Sequence, residues 1–187
     1  MNGVVANART VIGRVDAPTP ELAALRAEFL AFVTQHPDDA ADRDLRIGHL
    51  TASTLLLDRD RAHVLLTLHP LAGRWFQLGG HIEPGDLTVA AAAAREAGEE
   101  SGIESLTLVP DPIALDRHPT RCRTSTRTLG PSTHWDIQFA AVAPPGAQPR
   151  RSDESLDLCW FPLHRLPDGA DAAVRRLIGR ARTLGLA

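Results

Sequence analysis

The spacing of apolar residues along the chain changes period several times, and each change marks an element. Leu22, Leu25, Phe29, Phe32 and Val33 recur at helical spacing. Thr19 is placed to cap that helix, Pro20 suits its first position and Glu21 its first turn, while Pro37 ends it. Residues 37–44, PDDAADRD, read as an acidic connector. Two apolar runs, residues 49–57 and 62–69, flank a polar turn at 58–61 and predict a hairpin, with Val64, Leu66 and Leu68 on one face. Residues 74–78 form another short extended piece. It runs into GGHIEPGD at 79–86, where glycine and proline permit a tight path.

Residues 88–101 are Ala-rich and strongly helix-forming, and Gly102 is placed to stop that helix. Residues 106–116 read as extended. From 134 to 142 the pattern alternates strictly, with Trp135, Ile137, Phe139 and Ala141 opposite His134, Asp136, Gln138 and Ala140. PPGAQPRR at 144–151 is a surface loop, residues 156–161 a short strand, and Val174, Leu177, Ile178, Ala181 and Leu184 mark a C-terminal amphipathic helix. Residues 1–18 are weakly patterned and are expected to form a loose arm. Strands and helices mix without regular alternation, which predicts a mixed sheet with helices packed on it in one domain.

Composition narrows the function classes. A length of 187 residues suits one domain with modest extensions, and 43% hydrophobic with 23% charged residues excludes a disordered or fibrous chain. The net charge of −3 argues against a stable nucleic-acid partner or an anionic membrane surface. Every basic residue is Arg; the absence of Lys excludes a phosphate-loop lysine and Schiff-base chemistry. Cys122 and Cys159, 37 positions apart, supply neither a metal knuckle nor a disulfide framework and are expected to be inert thiols. With no apolar leader and no long apolar run, a cytoplasmic location and no membrane association are expected.

The chemistry is concentrated in REAGEESG, residues 95–102. Glu96, Glu99 and Glu100 stand at i, i+3 and i+4, so their carboxylates share one helix face. Like charges at that spacing repel, and they lie late in the helix, where the macrodipole disfavours anions. A divalent cation would balance them; Mg²⁺ takes oxygen ligands from carboxylates, waters and phosphates. Arg95 is placed to brace one carboxylate.

GGHIEPGDLTVAAAAAREAGEESGI, residues 79–103, resembles the Nudix box, the loop–helix–loop signature of Nudix hydrolases, G-x5-E-x7-R-E-U-x-E-E-x-G-U. Gly80, Arg95, Glu96, Glu99, Glu100, Gly102 and Ile103 match. Asp86 stands where the pattern has its first Glu, eight residues rather than seven separate it from Arg95, and Ala97 is small for the apolar position. Asp86 is expected to keep a capping or helix-start role.

The resemblance implies an α/β (α+β) fold, an α/β/α sandwich with a mixed β-sheet, here with an extra N-terminal helix. The division is then residues 1–45 as an arm and helix packed on the domain, and 46–187 as the Nudix hydrolase domain. It further implies attack by water at phosphorus in a nucleoside diphosphate linked to another moiety, such as a nucleoside triphosphate, a nucleotide sugar or a dinucleoside polyphosphate. Mg²⁺ or Mn²⁺ would be held by Glu96, Glu99, Glu100 and the Gly80 carbonyl, and Arg95 belongs to the same catalytic set. Candidates for the base are Glu96, Glu99 or a carboxylate from a later loop, for which Glu154 is the choice.

Residues outside the box select the substrate. Segment 117–133 carries Arg117, Arg121, Arg123 and Arg127 without an acid, and reads as a basic loop able to clamp phosphate. Arg74, His81, Arg117, His134 and Asp136 are the candidate substrate contacts. Trp75 and Phe76 suit core packing or base stacking. The helix over 19–36 covers the sheet or makes a homodimer contact. The alternative to an enzyme is a non-catalytic Nudix-fold module that senses a nucleotide.

Overall fold

A computed structural model describes residues 3–126, 128–153 and 155–187. In chain order the elements are α1 (Gly3–Arg14), α2 (Pro20–Gln35), β1 (His49–Leu57), β2 (His63–His69), β3 (Arg74–Phe76), β4 (Leu78–His81), α3 (Val89–Ser101), β5 (Thr107–Leu108), β6 (Ala114–Arg123), β7 (Leu129–Val142), β8 (Asp157–Pro162) and α4 (Ala172–Thr183). They form a curled mixed sheet with four helices, an α+β architecture.

Strand β1 is buried along its whole length and organises the sheet. On one edge it runs parallel to β7, from His49 opposite His134 to Leu57 opposite Val142. On the other edge β2 and β4 share it, both antiparallel. β2 holds only Leu56 and Leu57, and β4 holds Thr51 to Thr54. The expected hairpin therefore opens after two residue pairs, because β4 takes the rest of the edge. Beyond β7 lie β5 and β6; β2 continues to β3 and β8.

Alternation along these strands sends side chains to two differently covered faces. On one face Leu50, Ala52, Ile137 and Phe139 pack under α1, α2 and the first half of α3. On the other, Leu55, Leu57 and Ala140 pack under Val174, Leu177, Ile178 and Ala181 of α4. Further along that second face stand His49, Thr51, Ser53, His134, Asp136 and Gln138, polar yet almost wholly enclosed except for His134.

The N-terminal segment corrects one expectation. It is a helix, not a loose arm. Val4, Val5, Ala8, Val11 and Ile12 form a helical stripe buried against α2 and the sheet. Asn7 also reaches across to α3, where its Oδ1 accepts from the Val89 amide at 2.9 Å and satisfies a first-turn donor. Helix α2 presents Phe29, Phe32 and Val33 to the sheet, with Phe32 stacked on Trp135 at 4.5 Å between ring centroids and Phe29 edge-on at 5.0 Å. Trp75 packs edge-on to Phe161 at 4.8 Å, so its use is in the core.

The basic loop expected at 117–133 is a second correction. Its flanks are the ends of β6 and β7, paired from Ala114–Gln138 to Arg123–Leu129. Strand period 2 is present there, but proline and threonine obscure it. Arg127 lies outside the described residues. No helix among the described residues is long and apolar enough to cross a membrane.

Candidate active site

Helix α3 begins where Thr88 Oγ1 accepts from the Ala91 amide at 3.0 Å, and it ends at Gly102 in the left-handed conformation, φ 63°. Thr88, not Asp86, is therefore the cap. Asp86 instead receives the Arg95 fork, Nε to Oδ1 at 3.2 Å and Nη2 to Oδ2 at 2.9 Å. Burial by itself would raise the Asp86 carboxyl; the Arg95 guanidinium and the Glu83 amide bring it below the ordinary carboxylate range.

Arg95 does more than brace one neighbour. Its Nη1 donates to Glu96 Oε1 at 3.1 Å and to Glu99 Oε2 at 2.9 Å, and its Nη2 also donates to the His81 carbonyl at 2.9 Å. One guanidinium thus ties the loop after β4 to the acidic face of α3.

Strand β4 passes directly beneath that face. The Gly79 amide donates to Glu100 Oε2 at 2.9 Å. At Gly80 a β-carbon would stand 2.7 Å from Glu96 Oε2, so only glycine lets the backbone come this close to the carboxylate. Glu96, Glu99, Glu100 and Asp86 line one wall of a cleft of about 940 Å³, together with Gly80 and Arg95. Four carboxylates there face one guanidinium. The set is hard oxygen, offered by side chains beside a close backbone, which fits Mg²⁺ or Mn²⁺ better than a softer ion.

The cleft is also lined by residues that sequence patterning did not assign to the site. Arg43, Asp38 and Asp42 belong to the connector after α2, and Ser125 to the turn between β6 and β7. That turn is fastened to the connector by Ser125, whose amide and hydroxyl both donate to Asp44. Nothing in the local pattern of residues 37–44 distinguishes these side chains from a solvated acidic loop.

The family model for the NUDIX domain matches residues 48–180. The chain belongs to the Nudix family. A search of curated proteins returns no match. Among solved structures, the Nudix chain is similar to an Ap4A hydrolase of C. elegans in a binary complex, at 20% identity, covering 72% of this chain and 96% of that one, with a TM-score of 0.56. It is also similar to a MutT protein from Methanosarcina mazei Go1, at 18% identity with 76% and 99% covered and a TM-score of 0.56. A NUDIX-family hydrolase from Clostridium perfringens follows at 24% identity, 73% and 97% covered, TM-score 0.54. At these identities the likeness is one of fold.

The remaining site candidates separate on this Nudix scaffold. His81 and His134 line the cleft, their rings 5.5 Å apart, with His49 at 5.1 Å from each. Burial pushes His81 down to about 3 and His134 to about 2, and lowers His49 too, so these imidazoles are neutral. Asp136 is not among the cleft's lining residues. It is enclosed below the cleft, accepting from Thr51 Oγ1 at 3.1 Å, Ser53 Oγ at 2.6 Å and Gln138 Nε2 at 3.0 Å, and burial pushes its carboxyl up. Arg117 points the other way: it pairs with Glu28 of α2 at 2.7 Å and lies over Trp135. Arg74 pairs with Asp171 at the start of α4 at 3.1 Å and is not among the cleft's lining residues. Arg117 is turned away by strand parity, beside Trp135, whereas Arg74 stands beside His69 of the cleft and is drawn off by its ion pair with Asp171. Glu154 lies outside the described residues.

Proposed function

We propose that this Nudix chain is a metal-dependent pyrophosphohydrolase that opens a diphosphate linkage in a nucleoside diphosphate derivative. The close approach of Gly80 to Glu96, on an acidic helix face lining an open cleft, is the observation that carries the reading. Glu96, Glu99, Glu100 and the Gly80 carbonyl would hold Mg²⁺, with Mn²⁺ as a substitute. When bound, the ion supplies charge screening for the diphosphate and acidifies water.

The chain's own residues do the rest. Arg95 fixes the rotamers of Glu96 and Glu99 from one side and anchors the β4 loop from the other, so the carboxylates are set before substrate arrives. Glu96 and Glu99 are the candidates to take the proton from attacking water. Arg43, across the cleft, supplies positive charge for phosphate oxygens. His81 and His134, being neutral, line the cleft without adding charge. The Nudix domain is residues 46–187, and residues 1–45 pack on it, completing its sheet cover and lending Arg43 to the cleft.

The test is product analysis by ³¹P NMR. Protein with Mg²⁺ meets nucleoside triphosphates, nucleotide sugars, dinucleotides and dinucleoside polyphosphates, with Glu100→Gln run beside it. Cleavage by the unaltered protein alone supports the reading, and the product phosphates identify the broken bond. No turnover across the panel, with one nucleotide raising the melting temperature, would replace it with a nucleotide-sensing module.

A further inference from the structure

We propose that His49, His81, Cys122 and His134 form a zinc site on the sheet face opposite the acidic helix. The four residues come from four neighbouring strands, β1, β4, β6 and β7, one from each. Pairing puts them on one face. His49 lies beside His134 across the parallel pair, and His81 lies beside Thr51, two residues from His49. Cys122 lies beside Gly130, four residues from His134. The neighbour of His81, Gly80, points to the other face and meets Glu96.

The donor atoms of these four side chains all lie within 4.8 Å of one another, and His81 Nε2 is 3.0 Å from Cys122 Sγ. Around tetrahedral zinc, bonds of about 2.0 Å to nitrogen and 2.3 Å to sulfur separate ligand atoms by roughly 3.3–3.6 Å. Rotamer adjustment of about an ångström therefore closes the set.

A second observation points to a ligand. His49 is wholly buried, and the Nε2 atoms of both His49 and His134 are enclosed without a hydrogen-bond partner. An unpaired buried nitrogen is costly, and two in one cluster call for a common partner. Three imidazoles and a thiol without a carboxylate select a borderline-soft ion over Mg²⁺. Four protein ligands leave no open position, so the role is structural, clamping four strands at the cleft end of the sheet. Cys122 binds as thiolate, and its proton passes to solvent. His81 ligates through Nε2, which requires Nδ1 to carry its proton. Arg43, whose Nη2 stands 2.8 Å from Nδ1, then turns toward the cleft, where Asp38 and Asp42 also lie.

Cobalt substitution tests the site. The full chain is stripped with a chelator, dialysed, and titrated with Co²⁺ under excess Mg²⁺. One equivalent should bind with the visible absorption of tetrahedral cobalt and a thiolate charge-transfer band in the near ultraviolet. Zn²⁺ should displace it and raise the melting temperature. Cys122→Ser should remove the charge-transfer band. It and His134→Gln should each weaken Zn²⁺ binding by at least about a hundredfold, the upper range for losing only an outer partner. Glu99→Gln/Glu100→Gln should leave Zn²⁺ binding unchanged. Circular dichroism establishes that each variant is folded; should either ligand variant fail to fold, the spectrum of the unaltered chain decides. An octahedral spectrum without charge transfer overturns the proposal. So does Zn²⁺ binding that persists in both ligand variants or disappears in the glutamate variant.

Discussion

The His81 carbonyl accepts from Arg95 Nη2 at 2.9 Å, so the loop that follows β4 and the acidic face of α3 are fastened through one guanidinium. Its side chain is about three-quarters covered, with a relative exposure of 23%. Arg95→Gln should lower unfolding stability by about 2 kcal/mol, the range for losing hydrogen bonds to charged groups. Arg95→Lys should recover little of this, because a point charge cannot replace the fork. With the competing cation gone, Mg²⁺ should raise the melting temperature of Arg95→Gln more than that of the unaltered protein. Equal Mg²⁺ responses would show that Arg95 and the ion do not share ligands.

Glu99→Gln and Glu100→Gln test the carboxylates themselves. Both should abolish Mg²⁺-dependent turnover. Glu99 is mostly exposed, so its variant should differ in stability by less than about 0.5 kcal/mol. Glu100→Gln keeps an oxygen for the Gly79 amide and should fold equally well. Full activity in both, measured on folded protein, would remove the assignment.

The two glycines of β4 should respond differently. At Gly80 an added methyl meets the carboxylate of Glu96, a side-chain end that gives way only by loosening its bond to Arg95, so Gly80→Ala should cost less melting temperature than Gly79→Ala and raise the Mg²⁺ concentration needed for half-maximal activity. At Gly79, φ is 149° and the methyl would stand 2.5 Å from Ser53 Cα, which is backbone and cannot yield. Gly79→Ala should cost several kcal/mol in chemical denaturation. A reversed order of stabilities would refute the placement of β4.

A pH effect is expected at the far end of the polar face. His118 Nδ1 donates to Asp116 Oδ2 at 2.8 Å, and this bond is the main reason that His118 is raised and Asp116 lowered. Asp136, Asp171, His134 and Arg176 also face the pair. The histidine's contribution is complete below its unfolded value of about 6.5 and is lost as pH rises through the raised folded value. The aspartate's is present above about 3.9 and is lost as pH falls through the lowered one. In chelator, the unaltered protein should therefore lose melting temperature more steeply than His118→Gln as pH rises above about 6.5. Parallel pH profiles would contradict this.

The N-terminal helices should be needed for the sheet. Phe29 is fully buried between α2 and Trp135, and Phe29→Ala should cost about 3–5 kcal/mol. Removing residues 1–45 should leave a chain that fails to fold, read by the loss of cooperative unfolding. A cooperatively folding 46–187 fragment would mean that the helices are only an accessory.

Much of this was legible from residues alone because local rules coincided with the fold. Helix α3 carries its acidic face and its stop between Glu96 and Gly102, although its cap falls at Thr88 and not at Asp86, and β7 alternates cleanly over 134–142. Helix α1 was missed although Val4, Val5, Ala8, Val11 and Ile12 hold helical spacing, since glycine and polar residues dilute the stripe. The hairpin of β6 and β7 is hidden by Pro119, which stands opposite Thr133, and Pro131, opposite Arg121, residues that break the usual strand composition. The histidine–cysteine cluster was unreadable in principle: its members span residues 49 to 134, and only strand pairing brings them together. Arg117 shows the converse, since charge in the chain says nothing of which side a strand will turn to the cleft.

The enclosed Asp136 has a consequence for how the chain finds its structure. Its three donors belong to Thr51, Ser53 and Gln138, two of them on the neighbouring strand. Slide β7 by one position along β1 and the carboxylate would face Leu50 and Ala52, losing both cross-strand hydroxyls and keeping only Gln138 of its own strand. A one-residue slip of the two central strands is therefore penalised by an acid short of donors, so the folding search is narrowed at the sheet's midline by a residue outside the cleft lining.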